Sequence, residues 1–362
     1  MPATIASALA VIADNTSATI TFSEGVFNSA GTSTRLTDSE LVLTIASDTV
    51  TLSSYTVTTT DDITFTFGLT LTGTPDGTEV LTLDGTVYNS SGLDPLVLSV
   101  DNASVTLNDK TAPTLTAVDI ASNNATTTLA KVNDVITLTI TASEAIATPE
   151  INLQLGSVAI ADASITYVDT SGSAGTSWTA AYTTAGGDDE GLVTYSIEFL
   201  DLAGNAGTAV TSGTGSVTFD KTAPTVSSFV LGASALKAGE TTQVTLTFSE
   251  AVTGFASADD ITVVNGTLTV METSDNVTWT GTFTPSVDTE ETSNALTLSS
   301  DYTDLAGNAG PTASTGTFTI DTLVPTLSAV SIASNNATTT LAKEGNVITL
   351  TITASEAISE PV

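Results

Sequence analysis

The chain has 362 residues, with 40 acidic side chains against 6 basic ones and a formal net charge of −34. It contains neither cysteine nor histidine. These totals exclude a disulfide framework, a catalytic thiol, a Ser-His triad and a structural zinc site of the usual ligand types, and six basic residues cannot neutralise a nucleic-acid backbone.

What remains reads as a β-rich polypeptide. Thr occurs 75 times and Ser 39 times, while 41% of residues are hydrophobic, enough to build packed cores rather than a disordered chain. No run of about 18 apolar residues is present, so no membrane-spanning helix is expected. A strongly acidic, Lys-poor surface repels anionic membranes and attracts cations.

In chain order, Ile5 to Ala13 is apolar but has no basic flank, which suits a strand better than a signal peptide. A first alternating run ends in Ser23-Glu24. Asp109-Lys110-Thr111-Ala112-Pro113-Thr114 opens a second segment, in which Val135 to Thr141 alternates and leads to Ser143-Glu144. Trp178, Ala180 and Tyr182 share one face of a later strand, and Asp201-Leu202-Ala203-Gly204-Asn205-Ala206-Gly207 follows. The hexapeptide recurs at Asp220 to Thr225, 111 residues on. Val244 to Phe248 then runs into Ser249-Glu250, Trp279, Gly281 and Phe283 share a face, and Asp304 to Gly310 repeats the glycine-containing heptapeptide. A variant linker, Asp321 to Thr326, lies 101 residues further and precedes Val347 to Thr353 and Ser355-Glu356. Leu115 to Ile146 and Leu327 to Ile358 agree at 27 of 32 positions.

These recurrences predict modules at 1–108, 109–219 and 220–320, with 321–362 as the start of a fourth. Their net charges are −11, −10, −10 and −3, so the acidity belongs to each repeat. Period-two alternation rich in Val, Ile and Thr argues half-buried antiparallel strands. No stretch carries a helical period with caps. Seven or so short strands per roughly 100 residues predict an all-β chain of tandem immunoglobulin-like β-sandwich modules in a linear array. The two strands of 321–362 cannot cover both faces of a core. They are expected to begin a further module of a longer array, with strand addition to a neighbouring chain as the rival.

Strand parity predicts where the recurrent carboxylates meet. The residues ending the second strand and those following the sixth return to the pole at which each module begins. Asp109, Glu144, Asp201 and Asn205 should therefore converge at the start of the second module, and Asp220, Glu250, Asp304 and Asn308 at the start of the third. Three carboxylates and an amide oxygen form a hard-oxygen set that suits calcium, whose 6–8 oxygen ligands tolerate flexible geometry. In the first module only Glu24 matches. Asp188-Asp189-Glu190 and Asp259-Asp260 read as solvated loop charge, and Trp178 and Trp279 as core. Asp and Asn also serve as ordinary turn formers, so the same residues admit a purely local role.

The Asp-Lys-Thr-Ala-Pro-Thr linkers, the strand end Thr247 to Glu250 and Asp-Leu-Ala-Gly-Asn-Ala-Gly resemble the tandem bacterial immunoglobulin-like repeats of large surface adhesins. The resemblance spans the second and third modules and part of the fourth. In the first it covers only the front half, with Gly85 to Asp94 where the Ala-Gly-Asn loop is expected. It implies non-enzymatic, secreted or cell-surface stalk modules stiffened by calcium. The expected partners are neighbouring modules of the same chain, divalent cations and a host, matrix or surface ligand. A surface-layer or filament subunit, or accessory modules of a secreted enzyme, are the alternatives. No nucleophile–base pair marks a catalytic site within the chain.

Overall fold

The computed structural model describes residues 3–29, 34–90 and 95–360, and of the Gly85 to Asp94 stretch it leaves 91–94 outside the described residues. The chain is all-β, a tandem of immunoglobulin-like sandwiches. Among the described residues the helical exceptions are the short turns Asp162–Ser164 and Ser257–Asp260. The second of these was not foreseen, because four residues are too few to show a helical period.

The chain divides into two compact units, 1–122 with 135–183 and 187–218, and 123–134 with 184–186 and 219–362. In the first unit, one sheet runs Ile5–Val11, Ser17–Phe22, Thr64–Thr72, Thr51–Thr58 in spatial order, and a second is built around the long strand Val80–Asn89. The alternation foreseen from sequence becomes a core of Ile20, Phe22, Phe65, Phe67, Leu81 and Leu83, all of them fully buried. A further sheet of the same unit runs Leu115–Ser122, Val135–Ala142, Ser177–Thr183, Thr166–Asp169. Opposite it, Gly191–Glu198 pairs with Glu150–Leu155. Burying the apolar half of such strands stabilises each sandwich by about 25 cal/mol per Å² removed from water.

The second unit holds a sheet Val226–Leu231, Thr242–Phe248, Thr278–Pro285, Gly266–Leu268. Shorter strands face it, including Phe318–Asp321, which pairs in parallel with Ala235–Lys237. Its core is aromatic: Phe248 meets Phe255 edge-on at 5.8 Å, and Trp279 meets Phe255 at 4.8 Å. Trp279 thus packs against the core as expected, while Trp178 is half-buried with its indole N–H donating to the Gly175 carbonyl at 3.1 Å.

The last element is the hairpin Leu327–Ser334 with Ile348–Ala354. Its register repeats that of Leu115–Ser122 with Val135–Ala142, including the same irregularity after the first pair. The environments differ. Ile120, Leu138 and Ile140 are 4%, 2% and 0% exposed, whereas their counterparts Ile332, Leu350 and Ile352 are 71%, 58% and 36% exposed. A two-stranded ribbon with one uncovered apolar face is marginal in water. Hydrogen exchange should therefore be much faster for amides of 328–354 than for the matching amides of 116–142. Equal protection of the two nearly identical segments would show that the hairpin is covered in solution.

Candidate metal centre

Three strand ends deliver the first group of carboxylates. Asp109 precedes the strand Leu115–Ser122, Glu144 lies two residues beyond Val135–Ala142, and Asp201 follows Gly191–Glu198. An antiparallel bridge between Ile146 and Asp201 sets the register of the last two. One carboxylate oxygen from each of Asp109, Glu144 and Asp201 lies within 4.8 Å of the others, and Asp220, Glu250 and Asp304 meet in the same way. In the second group, Val252 pairs with Asp304 across the sheet. The innermost members, Asp201 and Asp304, are 3% and 0% exposed.

Local bonds aim each side chain. Asp109 accepts from the Thr111 backbone N–H at 2.8 Å, and Asp220 from that of Thr222 at 3.0 Å, both Asx-type turns written into Asp-Lys-Thr. Asn205 donates to both oxygens of Asp201, from its backbone N–H at 2.7 Å and its side-chain amide at 2.6 Å. Asn308 repeats this on Asp304 at 2.8 Å for each bond, and its amide also donates to the Asp220 carbonyl at 3.1 Å. Each Asn sits beside its cluster as expected, but it engages through its nitrogens. It orients the buried Asp rather than presenting an amide oxygen there. Gly204 and Gly307 take φ of 92° and 91°, a backbone region that explains the glycine in each loop.

The electrostatics follow from crowding. Burial raises the Glu144 carboxyl above its ordinary value, and the charges of Asp109, Asp201 and Asp76 add to the effect. Burial also acts to raise Asp201, but the hydrogen bonds from Asn205 and from the Gly204 and Ala203 backbone outweigh it and leave that carboxyl lowered. One member of the group resists ionisation while another is held ionised. Such a set fits a hard divalent cation.

Two residues escaped sequence reasoning. Asp76 approaches Glu144 from the loop between Thr64–Thr72 and Val80–Asn89, where Lys110 donates its backbone N–H to the Pro75 carbonyl at 2.8 Å. Asn89 pairs with Val26, two residues after Glu24, just as Asp201 pairs with Ile146 and Asp304 with Val252. An amide replaces the buried carboxylate there, and it donates to Glu24 at 3.4 Å. No local motif surrounds Asn89, so only strand register reveals the equivalence.

The other acidic runs divide. Glu190 is exposed, and the half-buried Asp188 accepts from the Tyr182 hydroxyl at 3.0 and 2.9 Å. Asp260 corrects the reading of Asp259-Asp260 as solvated charge: it is 4% exposed, and accepts from the Ala256 backbone N–H at 2.7 Å and the Ser299 hydroxyl at 3.1 Å. It closes the turn Ser257–Asp260, so a structural role accounts for its burial.

Residues 220–320 match the family described as the bacterial Ig-like domain. No curated protein matches the chain. Among solved structures, the full ectodomain (Ig1–Ig3) of mouse nectin-like molecule 4 is similar at 11% identity and TM-score 0.31, covering 83% of this chain and 98% of that one. The D00–D0 domain of intimin is similar at 10% identity and TM-score 0.25, covering 56% and 98%. Bacteroides ovatus SGBP-B from a mixed-linkage glucan utilization locus, in complex with a mixed-linkage heptasaccharide, is similar at 16% identity and TM-score 0.16, covering 85% and 70%.

Two outcomes are expected of the ion-free chain. Glu144→Gln removes a carboxylate whose folded-state value lies above the ordinary 4.5, so its charge disfavours the folded state once pH exceeds that range. The substitution should raise the melting temperature at pH 7 in chelator and have no effect well below pH 4.5, where folded and unfolded states are both protonated. Asn308→Ala strips one donor from fully buried Asp304 and should cost the third module about 1–3 kcal/mol, read by urea unfolding through Trp279 fluorescence.

Proposed function

We propose that this chain, whose third module is a bacterial Ig-like domain, is a structural segment of a large extracellular bacterial surface protein. In this reading its junctions are stiffened by calcium and its role is to carry an adhesive domain away from the cell. The observation that carries the reading is the repeated convergence of three carboxylates at the linker end of two successive modules. A calcium ion held by Asp109, Glu144 and Asp201, and another by Asp220, Glu250 and Asp304, would offset the mutual repulsion and tie linker, strand end and loop together. Pro113 and Pro224 in the linkers limit backbone freedom further. The functional partners are then neighbouring modules, divalent cations and a ligand bound by another part of the protein. Catalysis plays no part in this reading, since neither cysteine nor histidine is present and no nucleophile–base pair stands out.

A second reading, a subunit of a surface layer or filament, is favoured by the uncovered apolar face of the hairpin Leu327–Ser334 with Ile348–Ala354. Ordered sheets or fibres of the purified chain would select it.

Calorimetric titration tests the leading reading. Calcium should bind at two sites and stabilise each by about 2.7 kcal/mol at a hundredfold excess over Kd. Asp220→Ala with Glu250→Ala should remove one site and leave the third module folded. The calcium-dependent change in maximum dimension read by small-angle scattering should then be confined to the part that the Asp109 centre contributes. No binding at millimolar calcium, with no thermal shift, would end the proposal.

A further inference from the structure

The loop Asp304-Leu305-Ala306-Gly307-Asn308 is gripped by two side chains from residues 123–134. The Lys131 ammonium donates to the Gly307 carbonyl at 2.6 Å, and the Asn124 amide donates to the Ala306 carbonyl at 2.9 Å. Asp134 positions both donors. It accepts from the Asn124 amide at 2.7 Å and from the Lys131 backbone N–H at 2.8 Å. Thr184 adds a bond to the Lys131 carbonyl, and the Asp220 N–H donates to the Ala130 carbonyl at 2.8 Å. The grip therefore acts on the loop that supplies Asp304 and, one residue from Lys131, on the linker that supplies Asp220.

The same heptapeptide at 201–207 has the same internal bonds and the same glycine conformation. Yet among the described residues no side-chain donor reaches the carbonyl of Ala203 or Gly204. The neighbouring residues from the first module include the carboxylate of Asp76, which adds negative charge to Glu144. One copy of the loop is clamped by a cation and an amide, whereas at the other copy's centre a further acid acts on Glu144.

The trio has a readable pattern, Asn-x6-Lys-x2-Asp/Asn. It recurs at Asn336, Lys343 and Asn346, where the Asn336 amide and the Lys343 backbone N–H donate to the Asn346 side-chain oxygen at 3.1 and 3.0 Å. In the third module the nearest analogue lacks the Asn, and Lys237 pairs instead with its own Glu240 at 3.6 Å.

We propose that Asn124, Asp134 and Lys131 form a receptor for the backbone carbonyls of an Asp-Leu-Ala-Gly-Asn loop, and that this receptor keeps the Asp220 centre assembled without any ion. The Asp109 centre, which lacks a receptor, is ordered only when a cation is bound. Asn336, Lys343 and Asn346 are the same receptor in preformed state, and the partner they fit is the same loop on another module of this kind. The contrast in ion dependence rests on the calcium reading above, whereas the receptor does not. The receptor donates one charge-assisted and one neutral hydrogen bond to a turn whose own N–H groups are already used by Asp304.

The test is amide exchange of the whole chain in EDTA, resolved by NMR. The amides of Gly307 and Asn308 should exchange at least about tenfold more slowly than those of Gly204 and Asn205, which have the same sequence neighbours. Lys131→Met should remove most of that difference, Lys131→Arg should keep it, and the core amides of Leu246 and Phe283 should be unchanged in both. Added calcium should slow exchange at Gly204 and Asn205. Equal exchange of the two loops in the unaltered chain overturns the receptor. So does an unchanged Gly307 in a folded Lys131→Met variant. The wild-type comparison decides alone if that variant does not fold. Calcium titration of the same sample bears separately on the ion: absence of binding overturns the ion reading and leaves the contrast in EDTA standing.

Discussion

Like charges forced together by strand parity are the constraint on which this molecule turns. In an antiparallel sandwich, strands that run the same way end at the same pole, and here three of the stretches meeting at that pole carry a carboxylate. The folded chain cannot relieve the repulsion by moving one acid without breaking a strand pairing, because Asp201 and Asp304 sit within the bridges that join the strands. The loop glycines and the Asn205 and Asn308 amides are what make such burial tolerable, since each buried Asp receives two hydrogen bonds from its Asn.

The repeats vary this theme through single residues. In the first module Asn89 occupies the place of the buried Asp and neutralises it. At Asp109 a fourth acid, Asp76, adds to the repulsion. At Asp220 the clamp from Lys131 and Asn124 supplies positive charge and donors to the adjacent loop. One scaffold thus presents three electrostatic settings. If the junctions are ion-controlled, as proposed, they respond to the same cation to different degrees. On that proposal, some segments would hold their shape in dilute calcium and others would stiffen only when calcium is plentiful.

Independent cores make such grading possible. Residues such as Phe65 and Leu83 in one sandwich, and Phe248 and Phe283 in another, are fully buried within their own clusters. In the proposed stalk, a change at a pole would act chiefly on the joint beside it, as expected of arrays whose units interact mainly with their neighbours. The hairpin Leu327–Ser334 with Ile348–Ala354 shows the contrast: in the same register, and with no layer over it among the described residues, Ile332 and Leu350 stand open to solvent.

Much of this was readable from the order of residues. Period-two alternation identified strands because a half-buried strand must alternate, and the recurring Ser-Glu and Asp-Leu-Ala-Gly-Asn marked the same turn in successive repeats. Parity then brought Asp109, Glu144 and Asp201 together on paper, since the direction of a strand is a counting argument. What the order of residues could not reveal depended on contacts between distant segments. Lys131 reaches a carbonyl 176 positions away, Asn89 stands in for an Asp only because of its cross-strand partner, and Asp260 is buried by a four-residue turn too short to leave a periodic trace. The two Asn side chains lie beside the carboxylate groups, but which end of the amide faces the carboxylate depends on competing hydrogen-bond partners in space. Local periodicity reports which side of a strand is dry, whereas the pairing of polar groups at a pole is settled by long-range packing, which has no period in the chain.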